Sequence, residues 1–124
     1  MAERKILIAE DEIIVSLDLK MLLQRNNYSV ITIVSAGEDL ISQFNLRKPD
    51  LIITDLKLGG KVSGLEAITE IRKIDITPII IITGLPKSKL KKLLGTISNS
   101  VVLEKPFEQS DILYFANKFC GLHI

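Results

Sequence analysis

The 124-residue chain holds one cysteine, Cys120, so it has no internal disulfide to rely on. The apolar C-terminal stretch around it points to a buried structural thiol. No segment joins a basic start, a long apolar run and a cleavage site, and no apolar run is long enough to span a bilayer. The expectation is a cytoplasmic protein with no membrane contact. Charge is nearly balanced, at a formal +1, so no field of one sign draws the chain to nucleic acid. The densest basic run, Lys87, Lys89, Lys91 and Lys92, has no aromatic residues interleaved with it. It reads as the wet face of an amphipathic helix and not as a direct nucleic-acid site. Linkers, repeats and low-complexity tracts are missing as well, and the length suits one domain over residues 1–124.

What is present is the balance of a soluble globular protein, 47% hydrophobic and 25% charged. Short β-rich runs alternate with amphipathic segments. The first run is Lys5 to Ala9, followed by a helical pattern from about Glu12 to Arg25 and a left-handed cap at Asn27. Tyr28 to Val34 forms the second strand. Ser35 with Glu38, and Ser63 with Glu66, have the spacing of capping boxes, opening helices that end near Leu46 and Lys73. Between those helices Leu51 to Thr54 is a third strand, apolar on both faces. Pro78 to Ile82 is the fourth, its proline permitted at the first position. Pro86 to about Leu94 is a short helix with Leu90, Leu93 and Leu94 inward. Ser100 to Leu103 is the fifth strand, and Glu108 to Phe119 the closing helix. Five β-α units in order predict a parallel sheet covered on both faces, a three-layer α/β domain.

In such a sheet, ligands bind at the carboxyl ends of the strands. The first strand ends in Glu10-Asp11-Glu12, the third in Asp55, the fourth in Thr83-Gly84 and the fifth in Glu104-Lys105-Pro106. Parallel strands therefore bring Asp11, Asp55, Thr83 and Lys105 to one edge. Clustered carboxylates repel one another unless a cation sits among them, and oxygen ligands with room for water suit Mg²⁺. A carboxylate can attack phosphorus to give an acyl phosphate. The charge on the transferring phosphoryl then needs a metal ion, a fixed cation and a hydrogen-bond donor. Asp11, Lys105 and Thr83 match those needs.

These residues at these strand ends resemble the receiver domain of two-component response regulators. The resemblance is carried by Ile8-Ala9-Glu10-Asp11, by Lys48-Pro49-Asp50 running into Leu51-Ile52-Ile53-Thr54-Asp55, by Gly64-Leu65-Glu66, by Thr83-Gly84 and by Lys105-Pro106-Phe107. It spans nearly the whole chain. It implies a flavodoxin-like sheet of order 2-1-3-4-5 and reversible phosphorylation of Asp55. By the same resemblance Glu10, Asp11, Asp55 and the backbone carbonyl of Lys57 hold Mg²⁺, with Mn²⁺ as a substitute. Thr83 and Lys105 contact the phosphoryl oxygens, and the Lys105–Pro106 peptide is cis, a form that proline tolerates. The implied donor is a sensor histidine kinase or a histidine phosphotransfer protein. The implied reader is a downstream protein or output domain meeting the fourth helix, fifth strand and fifth helix. Such a chain is a switch and not an enzyme.

Three departures from the family pattern carry expectations of their own. Receivers commonly place an aromatic residue three positions before the lysine, where Val102 stands here, and valine has too few rotamers for an in-out reporter. The loop after Asp55 carries Gly59-Gly60 in place of a Met-Pro pair and reaches Gly64 one residue late, so added mobility is expected. No Walker pattern surrounds those glycines. Lys57 sets a cation two residues after the acceptor, where it is expected to touch the phosphoryl and slow attack by water. The lysines of the fourth helix favour an acidic protein partner.

Three other readings compete with the receiver. A pseudo-receiver, an interaction module that does not depend on phosphorylation, draws on Val102. An aspartyl-phosphate hydrolase needs a general-acid aspartate where Lys57 stands. Flavin binding needs a hydroxyl-rich loop where Glu10-Asp11-Glu12 stands. His123, one residue from the C-terminal position of this sequence, is a poor candidate for a phosphodonor.

Overall fold

The structure, a computed structural model, describes residues 3–95 and 97–121, without the side chains of Lys87, Lys91, Leu93 and Leu94. The inward packing expected of Leu93 and Leu94, and the role weighed for His123, lie outside the described residues. Five strands alternate with five helices: β1 (Lys5–Ala9), α1 (Ile13–Arg25), β2 (Ser29–Val34), α2 (Gly37–Arg47), β3 (Leu51–Asp55), α3 (Gly64–Arg72), β4 (Ile79–Thr83), α4 (Lys87–Leu94), β5 (Ser100–Glu104) and α5 (Gln109–Cys120). All strand pairs are parallel, in the order β2-β1-β3-β4-β5, as the resemblance implies.

Alternation along the strands makes two cores. Leu7, Ile52, Ile79, Ile81 and Val102 pack with α2, α3 and α4, through Leu40, Phe44, Ile68, Ile71 and Leu90. Ile6, Ile8, Leu51, Ile53, Ile80 and Ile82 pack on the other face with α1 and α5, through Leu19, Leu23, Ile112 and Ala116. The apolar runs of β3 and β4 are buried along their whole lengths because both their faces are covered. Fully burying one such isoleucine is worth about 2 kcal/mol, so the central strands hold the carboxyl-end edge rigidly in place.

Local chemistry ends the elements close to where the sequence predicts. Asn27 takes a left-handed conformation, φ 69°, behind α1. Ser63 and Glu66 form a reciprocal capping box at α3, each side chain accepting the other's backbone N–H at 3.1 Å. The Ser35–Glu38 box does not form. Helix α2 begins one residue later, with Ala36 as its N-cap and no side-chain cap, and the Glu38 carboxylate instead accepts the Lys61 N–H at 2.9 Å. That acceptor is needed because the loop after Asp55 lies against the start of α2 and brings an unpaired amide with it. Tyr28 and Pro78 fall just outside their strands: Tyr28 closes back on α1 through its N–H to the Leu23 carbonyl, and the Pro78 carbonyl accepts from Ile52 N–H.

Candidate functional site

β3 carries Asp55 to the carboxyl edge, and its backbone there leaves no room for a bulky helix start. Helix α3 comes so close that a Cβ at Gly64 would overlap the Asp55 carbonyl oxygen. Glycine is therefore required by the approach of α3 to the strand end. β1, in register between β2 and β3, delivers Glu10 and Asp11 beside Asp55. β4 delivers Thr83. β5 delivers Lys105, whose N–H donates to the Thr83 carbonyl at 2.7 Å. The Lys105–Pro106 peptide is cis. Asp11, Asp55, Thr83 and Lys105, with Glu12 and Lys57, line a cavity of about 490 Å³, and Glu10 lies buried against Lys105.

The charges are tightly grouped. Lys105 Nζ lies 2.6 Å from Glu10 Oε1, 2.8 Å from Asp55 Oδ2 and 3.2 Å from Glu12 Oε1. Glu10 is fully buried and Asp55 nearly so. Burial pushes the Glu10 carboxyl above its ordinary value, and the Lys105 ammonium offsets this only in part. Burial alone would lower Lys105, but its close contacts with the Asp55 and Glu10 carboxylates outweigh that and raise it, so it is charged at every physiological pH. Lys57 N–H donates to Asp55 Oδ1 at 3.1 Å, and Thr83 Oγ1 accepts from Leu85 N–H at 3.1 Å. The Thr83 hydroxyl proton is left to donate.

Glu10, Asp11 and Asp55 each offer an oxygen within 4.8 Å of the others. Glu10 Oε1, despite its ion pair, accepts no aligned hydrogen bond. Three carboxylates grouped this closely, with a single ammonium ion-paired to two of them, fit an oxygen-binding hard cation. The structure thus assembles Asp11, Asp55, Lys57, Thr83 and Lys105 around one pocket, with Glu10 buried against Lys105. Glu12, to which the sequence assigned no role at the site, joins Lys105 at 3.2 Å; its position just after the acidic pair was the available signal.

Elsewhere the structure alters one expectation and agrees with another. The Gly59-Gly60 loop is tied down: Gly59 N–H donates to the Ser35 carbonyl and Gly37 N–H to the Val62 carbonyl, both at 3.0 Å. Val102 is buried in the core with residues of β4 and α4, in keeping with a position that carries no in-out reporter. On α1, which begins just after Glu12 of the pocket lining, Ile13, Ile14, Leu17 and Met21 stand exposed. No described helix is long and apolar enough to cross a membrane.

Known proteins are similar to this chain in sequence and fold. The chain is 32% identical over 110 residues to the transcriptional regulatory protein PdtaR of Mycobacterium tuberculosis, a match covering 89% of this chain and 53% of the relative. It is 32% identical over 111 residues to the alkaline phosphatase synthesis transcriptional regulatory protein PhoP of Bacillus subtilis, covering 88% of this chain and 45% of the relative. The chain thus spans about half the length of these curated relatives. The crystal structure of a response regulator receiver protein from Sinorhizobium medicae WSM419 superposes with a TM-score of 0.84 at 26% identity, covering 96% of this chain and 95% of that one. The family model for the response regulator receiver domain matches residues 6–117. With an acidic pair closing β1, an aspartate closing β3 and a lysine closing β5 around one pocket, the chain belongs to the response regulator receiver domain family.

Proposed function

We propose that the chain accepts a phosphoryl group on Asp55 and works as a phosphorylation-dependent switch. The observation that carries this reading is the Lys105 ammonium 2.8 Å from a nearly buried Asp55 carboxylate, inside an acidic pocket open to solvent. A histidine kinase or a histidine phosphotransfer protein supplies the phosphoryl as a phosphoramidate. An Asp55 oxygen attacks phosphorus, the P–N bond breaks, and the imidazole nitrogen leaves with the bonding pair and takes up a proton. Lys105 neutralises one phosphoryl oxygen, and the Thr83 hydroxyl donates to another. A Mg²⁺ ion held by Glu10, Asp11, Asp55 and the Lys57 carbonyl supplies charge neutralisation when bound. The exposed apolar residues of α1 favour a protein donor, since such a patch is what a partner covers. The product is an acyl phosphate on the chain itself, so the protein is a substrate of transfer and not a turnover enzyme. Output runs through a protein or attached domain at the α4–β5–α5 surface, where Lys89, Lys92 and Tyr114 are exposed.

The test is incubation with Mg²⁺ and a small acyl phosphate or phosphoramidate donor. Acid-stable, base-labile label should appear in the wild type and vanish in Asp55→Asn. Label that persists in that variant would sink the assignment. No label from any donor would favour the second reading, an interaction module independent of phosphorylation, for which the buried Val102 speaks.

Lys57 extends the proposal to the lifetime of the acyl phosphate. Its cation lines the pocket, where contact with a phosphoryl oxygen would obstruct an incoming water. Lys57→Asn is expected to shorten the half-life of the phosphorylated form by about tenfold, a barrier change of roughly 1.4 kcal/mol. An unchanged half-life removes the role.

A further inference from the structure

The segment between Asp55 and α3 is pinned at both ends. At its start, Lys57 N–H donates to Asp55 Oδ1 at 3.1 Å. At its far end, Lys61 N–H donates to both carboxylate oxygens of Glu38, at 2.9 and 3.3 Å. Between these points it makes a parallel bridge, Gly59 to Ala36, on the turn that opens α2. The fit is close. Gly60 sits at φ +85° with its α-carbon against Glu38 and Ala36, and a Cβ at Gly37 would overlap the Val62 carbonyl oxygen. Glu38 is thus the one described side chain that grips this loop from α2, and its carboxyl is held below its ordinary value chiefly by the Lys61 amide.

We propose that Glu38 is a positioning residue for the acceptor site, acting through the Lys57–Lys61 loop on the Asp55 carboxylate. The inference rests on the phosphoacceptor reading of Asp55. Releasing Lys61 loosens the far end of a two-glycine loop, still tied to the start of α2 through Gly59 and Val62, whose other end aims an amide at Asp55 Oδ1. Asp55 then samples more orientations, and a cation that needs it beside Glu10 and Asp11 binds less well. Reciprocity follows: if the Glu38–Lys61 bond favours cation binding, cation binding strengthens that bond by the same factor.

The full chain is titrated with Mg²⁺ by calorimetry, with amide hydrogen exchange read at Lys57 and Lys61. Glu38→Ala should weaken Mg²⁺ about fivefold and quicken exchange at both amides. Glu38→Gln keeps an acceptor oxygen and should bind as the wild type does. Asp39→Ala removes an acid from the same first turn of α2, whose carboxylate makes no hydrogen bond to the loop among the described residues, and should change neither readout. Wild-type Mg²⁺ should also slow exchange at Lys61. Unchanged Mg²⁺ affinity in Glu38→Ala, or an equal loss in Asp39→Ala, overturns the proposal while leaving the labelling of Asp55 intact. A wild-type chain that takes neither Mg²⁺ nor label overturns the acceptor reading and this inference with it.

Discussion

Lys105→Met is expected to cost about 3 kcal/mol of unfolding free energy near pH 8 without divalent cation, and visibly less near pH 5. Methionine keeps an unbranched stem of similar reach but deletes the ammonium that three carboxylates share. Breaking a buried pair from one side leaves the other charge uncompensated, and here the stranded group is Glu10, which is fully buried. The cost sits at the low end of the usual range because the pocket is open to water. Glu10 is already pushed above its ordinary 4.5 by burial, and without Lys105 it rises further. A carboxyl raised in the folded state binds its proton more tightly folded than unfolded. Its stabilising contribution is therefore complete below the ordinary value and is lost as pH rises through the raised one. Urea unfolding of both proteins at the two pH values checks this. An equal cost at both would mean that the lysine stem, and not its charge, supports the fold.

A second large effect is the response to Mg²⁺. At a concentration about a hundred times its dissociation constant, an ion that binds the folded chain alone adds about 2.7 kcal/mol of stability. For 124 residues, with an unfolding entropy of roughly 2.1 cal/mol/K per residue, that raises Tm by about 10 °C. Asp11→Asn should abolish the rise. The same change removes one of three carboxylates whose oxygens lie within 4.8 Å of one another, so the cation-free variant should be no less stable than the wild type, and repulsion argues for more. Thermal melts with and without Mg²⁺ decide the matter. A variant that keeps the full rise would place the cation elsewhere, and one that loses it together with cation-free stability would mark Asp11 as structural.

The sequence by itself determined the order of elements and the sheet. Apolar runs such as Ile79–Ile82 can be satisfied only by burial on both faces, and each is separated from the next strand by a helical pattern. The site was legible for the same reason: parallel strands in one sheet share a carboxyl edge, so residues up to 95 positions apart, Glu10 and Lys105, had to meet there. Only the tertiary structure decided contacts between loops, because nothing in their spacing encodes them. Ser35 and Glu38 have the spacing of a capping box, yet Glu38 bonds Lys61, since the β3–α3 loop packs where the box would close. Gly59-Gly60 has the composition of a mobile hinge, yet its backbone is bridged to Ala36. The sequence assigned Glu12 no role at the site, yet, while still largely exposed, it shares the Lys105 ammonium. Local pattern fixes what a segment prefers alone, whereas an unpaired amide or ammonium takes whichever partner the assembled fold brings within reach.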